Sequence, residues 1–218
     1  MDVSVWKPRR VAAVPVELPE GVTPAGTRGA ILRAALALFA ESGYSAVSIR
    51  KIANEVGITS ASLYAHYRSK DHILAELVLT GHRELHARLT NALAAAEPTA
   101  VAQLSALVRA HVLLHTDFPL LAVVTNSELH ALPDELAAPA LELRASCSRL
   151  LVDTLELGVR DGVFRVENLH LGAVAIGGMA IQVAQWFGPD EPFTRDEVAD
   201  NYVHYALRIV GADEGAVR

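Results

Sequence analysis

Four small residues in succession, Thr59, Ser60, Ala61 and Ser62, follow a glycine and an isoleucine and open a short apolar-periodic segment. At a helix N-terminus such side chains suit the edges of base pairs. Hydroxyls serve either base type, and a methyl group can meet that of thymine. Tyr64, His66 and Lys70 fall on the side expected to face solvent and read as phosphate contacts, with Arg50 in reach of a base or a phosphate. Thr27 and Ser48 begin two earlier periodic segments, so the backbone N–H groups there are further candidates for phosphate. Tyr67, in contrast, reads as core.

A second set suits a small molecule rather than DNA. Arg109, His111, Leu114, His115, Phe118, Asn126 and His130 are scattered among Leu107, Leu113, Leu121 and Val124. An apolar lining with a few placed polar groups is the usual composition of a ligand cavity. Taken singly, His111 reads first as a core histidine bonded to a carbonyl. The same stretch supports a rival chemistry, because His82/His86 and His111/His115 are spaced i,i+4, which puts two imidazoles on one helix face, as a divalent metal requires. Two ligands do not complete a site, so no metal and no cofactor is assigned. The chain has no Gly-rich phosphate loop, nucleophile elbow or HExxH motif, and an enzyme is not expected.

These residues need elements to hold them. In SIRKIANEVGITSASLYAHY (48–67), Ser48 can cap a helix whose Ile49, Ile52, Ala53 and Val56 share a face. Gly57 stands where the chain leaving that helix needs a left-handed residue, and Thr59 can cap a second helix with Leu63 and Tyr67 on its buried side. Residues 27–43 form an amphipathic helix ahead of this pair, and Ser69 can cap a long helix behind it, running to about residue 95. This is the layout of a helix-turn-helix. Five further helices are expected, broken by Pro98, Pro119, Pro133, Asp161-Gly162 and Gly188-Pro189. Pro139 is tolerated in the seventh only in the first turn, and Thr194 with Glu197 forms a capping box for the ninth. Strand signals are nearly absent, so the chain reads as all-α with about nine helices.

The stretch AALALFAESGYSAVSIRKIANEVGITSASLYAHYRSKDHIL resembles the DNA-binding domain of the TetR family of bacterial transcriptional regulators, over residues 27–74 without a gap. Pro8, Pro15, Pro19 and Pro24 with no apolar period make residues 1–26 an expected mobile leader, which the resemblance does not cover. The resemblance implies a helix-turn-helix domain (27–73) and a helical effector-binding and dimerisation body (74–218). It also implies a homodimer closed by the last two long helices, for which Gly178, Met179, Val183, Trp186, Tyr202 and Tyr205 are the candidate interface. RAHVLLHTDFPLLAVVTNSELHAL and IGGMAIQVAQWF are similar to family members that regulate lipid and steroid catabolism in actinobacteria, some of which respond to CoA thioesters. The expected function is a cytoplasmic regulator, a repressor, that binds palindromic operator DNA and is released by a hydrophobic effector such as an acyl-CoA. The alternatives are a metal-responsive regulator and a helical small-molecule binding protein without DNA.

Charge agrees with a basic head on an acidic body. The net charge of −6 divides into +4 over residues 1–70 and −10 over the remainder, and phosphate neutralisation needs local positive charge. Within the leader, Lys7-Pro8-Arg9-Arg10 is a candidate minor-groove arm beside the plainer reading of a disordered tail. The single Cys147 fits a reducing compartment and reads as packing. The apolar stretch 171–187 reads as a buried helix with no membrane partner.

Overall fold

The structure, a computed structural model, describes residues 15–21 and 23–212; Lys7 to Arg10 lie outside them. Among the described residues there are nine α-helices and no strand. They are α1 (Gly26–Ser42), α2 (Ile49–Val56), α3 (Ser60–Tyr64), α4 (Lys70–Ala95), α5 (Ala100–Asp117), α6 (Pro119–Ser127), α7 (Asp134–Arg160), α8 (Leu169–Trp186) and α9 (Arg195–Ile209). The described residues divide into two compact units, those up to Glu84 with 118–142, and 85–117 with those from Leu143 on.

In the first unit the predicted turn chemistry is realised. Ser48 accepts from Lys51 N and caps α2. Gly57 adopts φ 74°, the left-handed conformation open to glycine without steric cost, and its N–H returns to Ala53 O and Asn54 O. Thr59 then caps α3 by accepting from Ser62 N. Helix α3 is short, ending at Tyr64, yet Leu63 and Tyr67 are both buried. They join Ile31, Leu32, Leu36 and Phe39 of α1, Ile52 and Ala53 of α2, and Ile73, Leu74 and Leu77 of α4 in one core.

That core also contains Leu120, Leu121 and Val124 of α6 and Ala137 and Ala140 of α7. A boundary at residue 73, expected from the order of the motifs, therefore does not match the packing: α6 lies against α1, inside the unit that carries the helix-turn-helix. Helix α6 also meets α4 closely. A Cβ on Gly81 would stand 2.4 Å from Thr125 Oγ1, so the crossing depends on glycine's missing side chain. Residues 15–21 and 23–25 are not simply a leader, because Leu18 is buried in the same core and Thr23 donates to Pro19 O at 2.7 Å. Pro139 lies inside α7, past its first turn, on an exposed face where a lost hydrogen bond can be replaced by solvent.

In the second unit α5 packs against α8 and α9, through Leu104, Val108, Val112, Ile176, Ala180, Val183, Ala206 and Leu207. The capping box is present: Thr194 accepts from Glu197 N, and the Glu197 carboxylate accepts from Thr194 N. A second cluster joins Leu89, Leu107 and Cys147, with Leu85, Leu93 and Leu150 around it. Helix α8 is buried on one face only. Leu171 and Val174 on the opposite face are 63 % and 57 % exposed, with Gly178 beside them. That exposed face qualifies the reading of α8 as simply buried; by length and composition alone α8 is also long and apolar enough to cross a membrane, a test that core helices pass as well. Val183 is corrected too: it is fully buried within the unit and has no surface to offer a partner.

Candidate DNA-binding and effector sites

Thr59, Ala61 and Ser62 are exposed, Ser60 is half-buried, and Tyr64 is 54 % exposed. With Thr59 Oγ1 holding Ser62 N at 3.1 Å, the cap fixes the direction in which α3 presents its first turn. Arg50, His66 and Thr27 are exposed as expected, and so are Lys51 and Arg68, which the motif reading passed over although they contribute to the local positive charge. Ala25, the residue capping α1, offers no side-chain acceptor, which leaves the first-turn N–H groups beside Thr27 available to an anion.

Lys70 is a correction. Its Nζ donates to Tyr44 O and Val47 O, both at 2.8 Å, and sits 3.9 Å from the centre of the Tyr44 ring. The ammonium closes the α1–α2 loop onto the start of α4 instead of projecting to a phosphate. Around it, the Tyr44 hydroxyl donates to Asp71, which also accepts from Ser69 Oγ at 3.1 Å. The Tyr44 hydrogen bond, ahead of the one from Ser69, holds the Asp71 carboxyl below its usual range. Burial first, and then the Asp71 bond, raise the Tyr44 phenol well above its own. Arg28 pairs with Glu76 and stacks 4.7 Å above the Tyr67 ring, a second clamp of α1 to α4.

The effector candidates divide between the units. Phe118, Asn126 and His130 fall in the first, where Asn126 Nδ2 donates to Ala122 O at 2.8 Å and His130 is exposed on a 3-10 turn, not inside a cavity. Arg109, His111, Leu114 and His115 belong to the second. Arg109 is committed to α9, with Asp196 Oδ1 at 2.6 Å from Nη2 and Asp200 on Nη1, so it is not a spare cation at a pocket mouth. His115 is buried and its Nδ1–H donates to His111 O at 2.9 Å. His111 stacks edge-on against it, ring centres 4.8 Å apart, and its Nε2 is buried without a hydrogen-bond partner among the described residues. Burial first, and then the neighbouring His115, hold His111 well below the usual histidine range.

The metal geometry does not assemble. Among the described residues no three His, Cys, Asp or Glu side chains converge. His82 is 3 % exposed and its Nδ1 bonds Val78 O at 2.9 Å, while His86 Nε2 bonds Ser146 Oγ at 3.1 Å. Burial raises the Cys147 thiol to about 11, which makes it unreactive at neutral pH.

A capped helical pair with an αL glycine, exposed small residues on the second helix and basic side chains beside it defines a helix-turn-helix transcriptional regulator. Two family models match the chain, one described as bacterial regulatory proteins, tetR family, over residues 31–77, the other as tetracyclin repressor-like, C-terminal domain, over residues 97–210. The protein belongs to the TetR family. It is 27 % identical over 183 residues to the HTH-type transcriptional repressor KstR2 of Rhodococcus jostii, covering 84 % of this chain and 90 % of the relative. Among solved structures it resembles a TetR-family regulatory protein from Rhodococcus RHA1, with TM-score 0.80 and 31 % identity over 88 % of this chain and all of the other (100 %). It also resembles AibR in complex with isovaleryl coenzyme A and operator DNA, with TM-score 0.74 and 25 % identity over 81 % of this chain and 95 % of that one.

Proposed function

We propose that the protein is a cytosolic repressor that binds a palindromic operator as a homodimer and is released by an acyl-CoA or related thioester. The observation that carries the DNA half is the first turn of α3, which Thr59 caps and where Ala61 and Ser62 are exposed, in a unit that also exposes Arg50, Lys51 and Arg68. Small side chains there read bases and the surrounding cations neutralise phosphates. The dimer is supported by the exposed apolar stripe of α8 (Leu171, Val174 and Gly178) and by Tyr205 and Ile209 on α9. A second copy of the chain is the occupant that the family architecture suggests, in place of Val183 and with Gly178 allowing close approach. A repressor role and a thioester effector are supported by KstR2 and AibR, whose names record a transcriptional repressor and an isovaleryl coenzyme A complex.

The test begins with DNA fragments selected by the pure protein, followed by titration of the complex with isovaleryl-CoA and longer acyl-CoAs. A ligand releases DNA only through its preference for the released conformation, and moving a 99:1 population to 1:99 takes roughly 5.5 kcal/mol. An effective thioester should raise the melting temperature of the free protein and bind the operator complex more weakly, as linkage requires. Operator release by zinc or nickel, with no response to any thioester, would overturn the effector reading.

A further inference from the structure

Helix α5 of the second unit carries a buried polar atom for which the fold has no use. His111 lies one turn after Leu107, which packs into the cluster with Leu89 and Cys147, and three residues before the buried Leu114. Nearly all buried polar atoms find a partner, because the desolvation cost of leaving one unpaired is not returned by packing. His111 Nε2 finds none among the described residues. The ring is nevertheless held in place, edge-on to His115, which is itself pinned by donating to the His111 carbonyl. A leucine would fill the same space without the penalty. A fixed, desolvated imidazole nitrogen is what a ligand site needs and a core does not.

We propose that His111 Nε2 donates a hydrogen bond to the carbonyl oxygen of a neutral acyl group, so that the site accepts thioesters and refuses the free carboxylic acids. This rests on the thioester reading given above. The selectivity follows from charge. An apolar surround and the adjacent His115 keep the imidazole uncharged, so it can serve one neutral carbonyl but cannot balance a carboxylate. Neither Arg88 nor Arg109 relieves that, since Arg88 is paired with Asp117 at 2.7 Å and Arg109 with Asp196 and Asp200. A carboxylate buried there could draw on neither arginine without breaking a pair that already exists.

The test compares isovaleryl-CoA and decanoyl-CoA with their S-alkyl thioether analogues, which lack the carbonyl, and with the two free acids, each titrated into the full-length protein. Wild type should bind a thioester about three- to tenfold more tightly than its thioether, the range that one neutral hydrogen bond gives. It should not bind the free acids. His111→Leu should erase the difference between thioester and thioether while melting no lower than wild type without ligand, because it removes an unsatisfied atom. His111→Gln, which keeps a donor, should restore part of the difference. Equal discrimination in wild type and His111→Leu, or tight binding of a free acid, overturns the inference and leaves the thioester reading standing. If wild type binds no thioester, both fall. A His111→Leu protein that unfolds would show the imidazole to be a core group, and overturns the inference as well.

Discussion

Lys70 carries the expectation of a phosphate contact in its position and the contrary evidence in its partners. Its ammonium is used on the carbonyls of Tyr44 and Val47, so Lys70→Ala should lower stability by about 1–3 kcal/mol in the absence of DNA, the range for charge-assisted hydrogen bonds. Arg50→Ala should instead leave the melting temperature unchanged and reduce the salt slope of operator binding by about one unit. Thermal melts and salt titrations of the two variants separate these roles, and an unaltered melt for Lys70→Ala would mean that the clamp contributes nothing. Beside it, Asp71 is held below the usual carboxylate range by Tyr44. Its contribution is present above its unfolded value of about 3.9 and is lost as pH falls through the lower folded value. Tyr44→Phe should therefore cost about 1 kcal/mol at pH 7, and the gap to wild type should close below pH of about 4. A gap that stays constant from neutral to acid pH would disconnect Tyr44 from Asp71. The caps were legible because their partners lie three residues away. Lys70 was not, since its acceptors are backbone carbonyls more than twenty residues earlier, and no side-chain pattern marks them.

Periodicity located the helices well, because an apolar stripe and its stop signals are local properties of the chain. Helix α7 runs from Asp134 to Arg160, between the expected breaks at Pro133 and Asp161-Gly162, and α8 is capped by Asn168 accepting from Leu171 N. What periodicity does not carry is which helix each stripe faces. The meeting of α4 and α6 turns on Gly81 and Thr125, a glycine in mid-helix and a threonine whose buried Oγ1 has no partner among the described residues. Gly81→Ala should gain about 0.5–1 kcal/mol of helix propensity and lose about 1–3 kcal/mol to overpacking, for a net destabilisation. Thr125→Ala should rescue it, and a double-mutant cycle by chemical denaturation should give a coupling of about 1 kcal/mol or more. Additive effects would show that the two helices adjust without strain. On α8, a charge placed in the exposed apolar stripe by Val174→Glu should leave the fold intact and turn a dimer into a monomer in light scattering. Val183→Glu should unfold the second unit instead, because that side chain is already in the core. A monomeric wild type would remove the proposed interface altogether.

For the molecule as a whole, charge gave the division of labour and packing redrew its border. The positive balance of residues 1–70 against the acidic remainder matches the placement of Arg50, Lys51 and Arg68 on the surface of the first unit. The border itself was hidden, because the sequence orders α6 with the body while Leu120, Leu121 and Val124 are buried with α1. This bears on how freely such regulators can be recombined. Sensor builders join the DNA reader of one repressor to the receiver of another, and a splice is naturally placed where the tetR-family match ends, at residue 77. Cut there, the reader loses three fully buried side chains, each contributing about 1.5–3 kcal/mol, against a net stability of about 5–15 kcal/mol for a whole domain. A fragment of residues 15–77 should bind a hydrophobic dye and lack a cooperative melt, whereas a hybrid that brings α6 along with its own reader should melt cooperatively. In this protein the interchangeable part is discontinuous in the chain, and a graft that respects only sequence order carries away a reader with its floor removed.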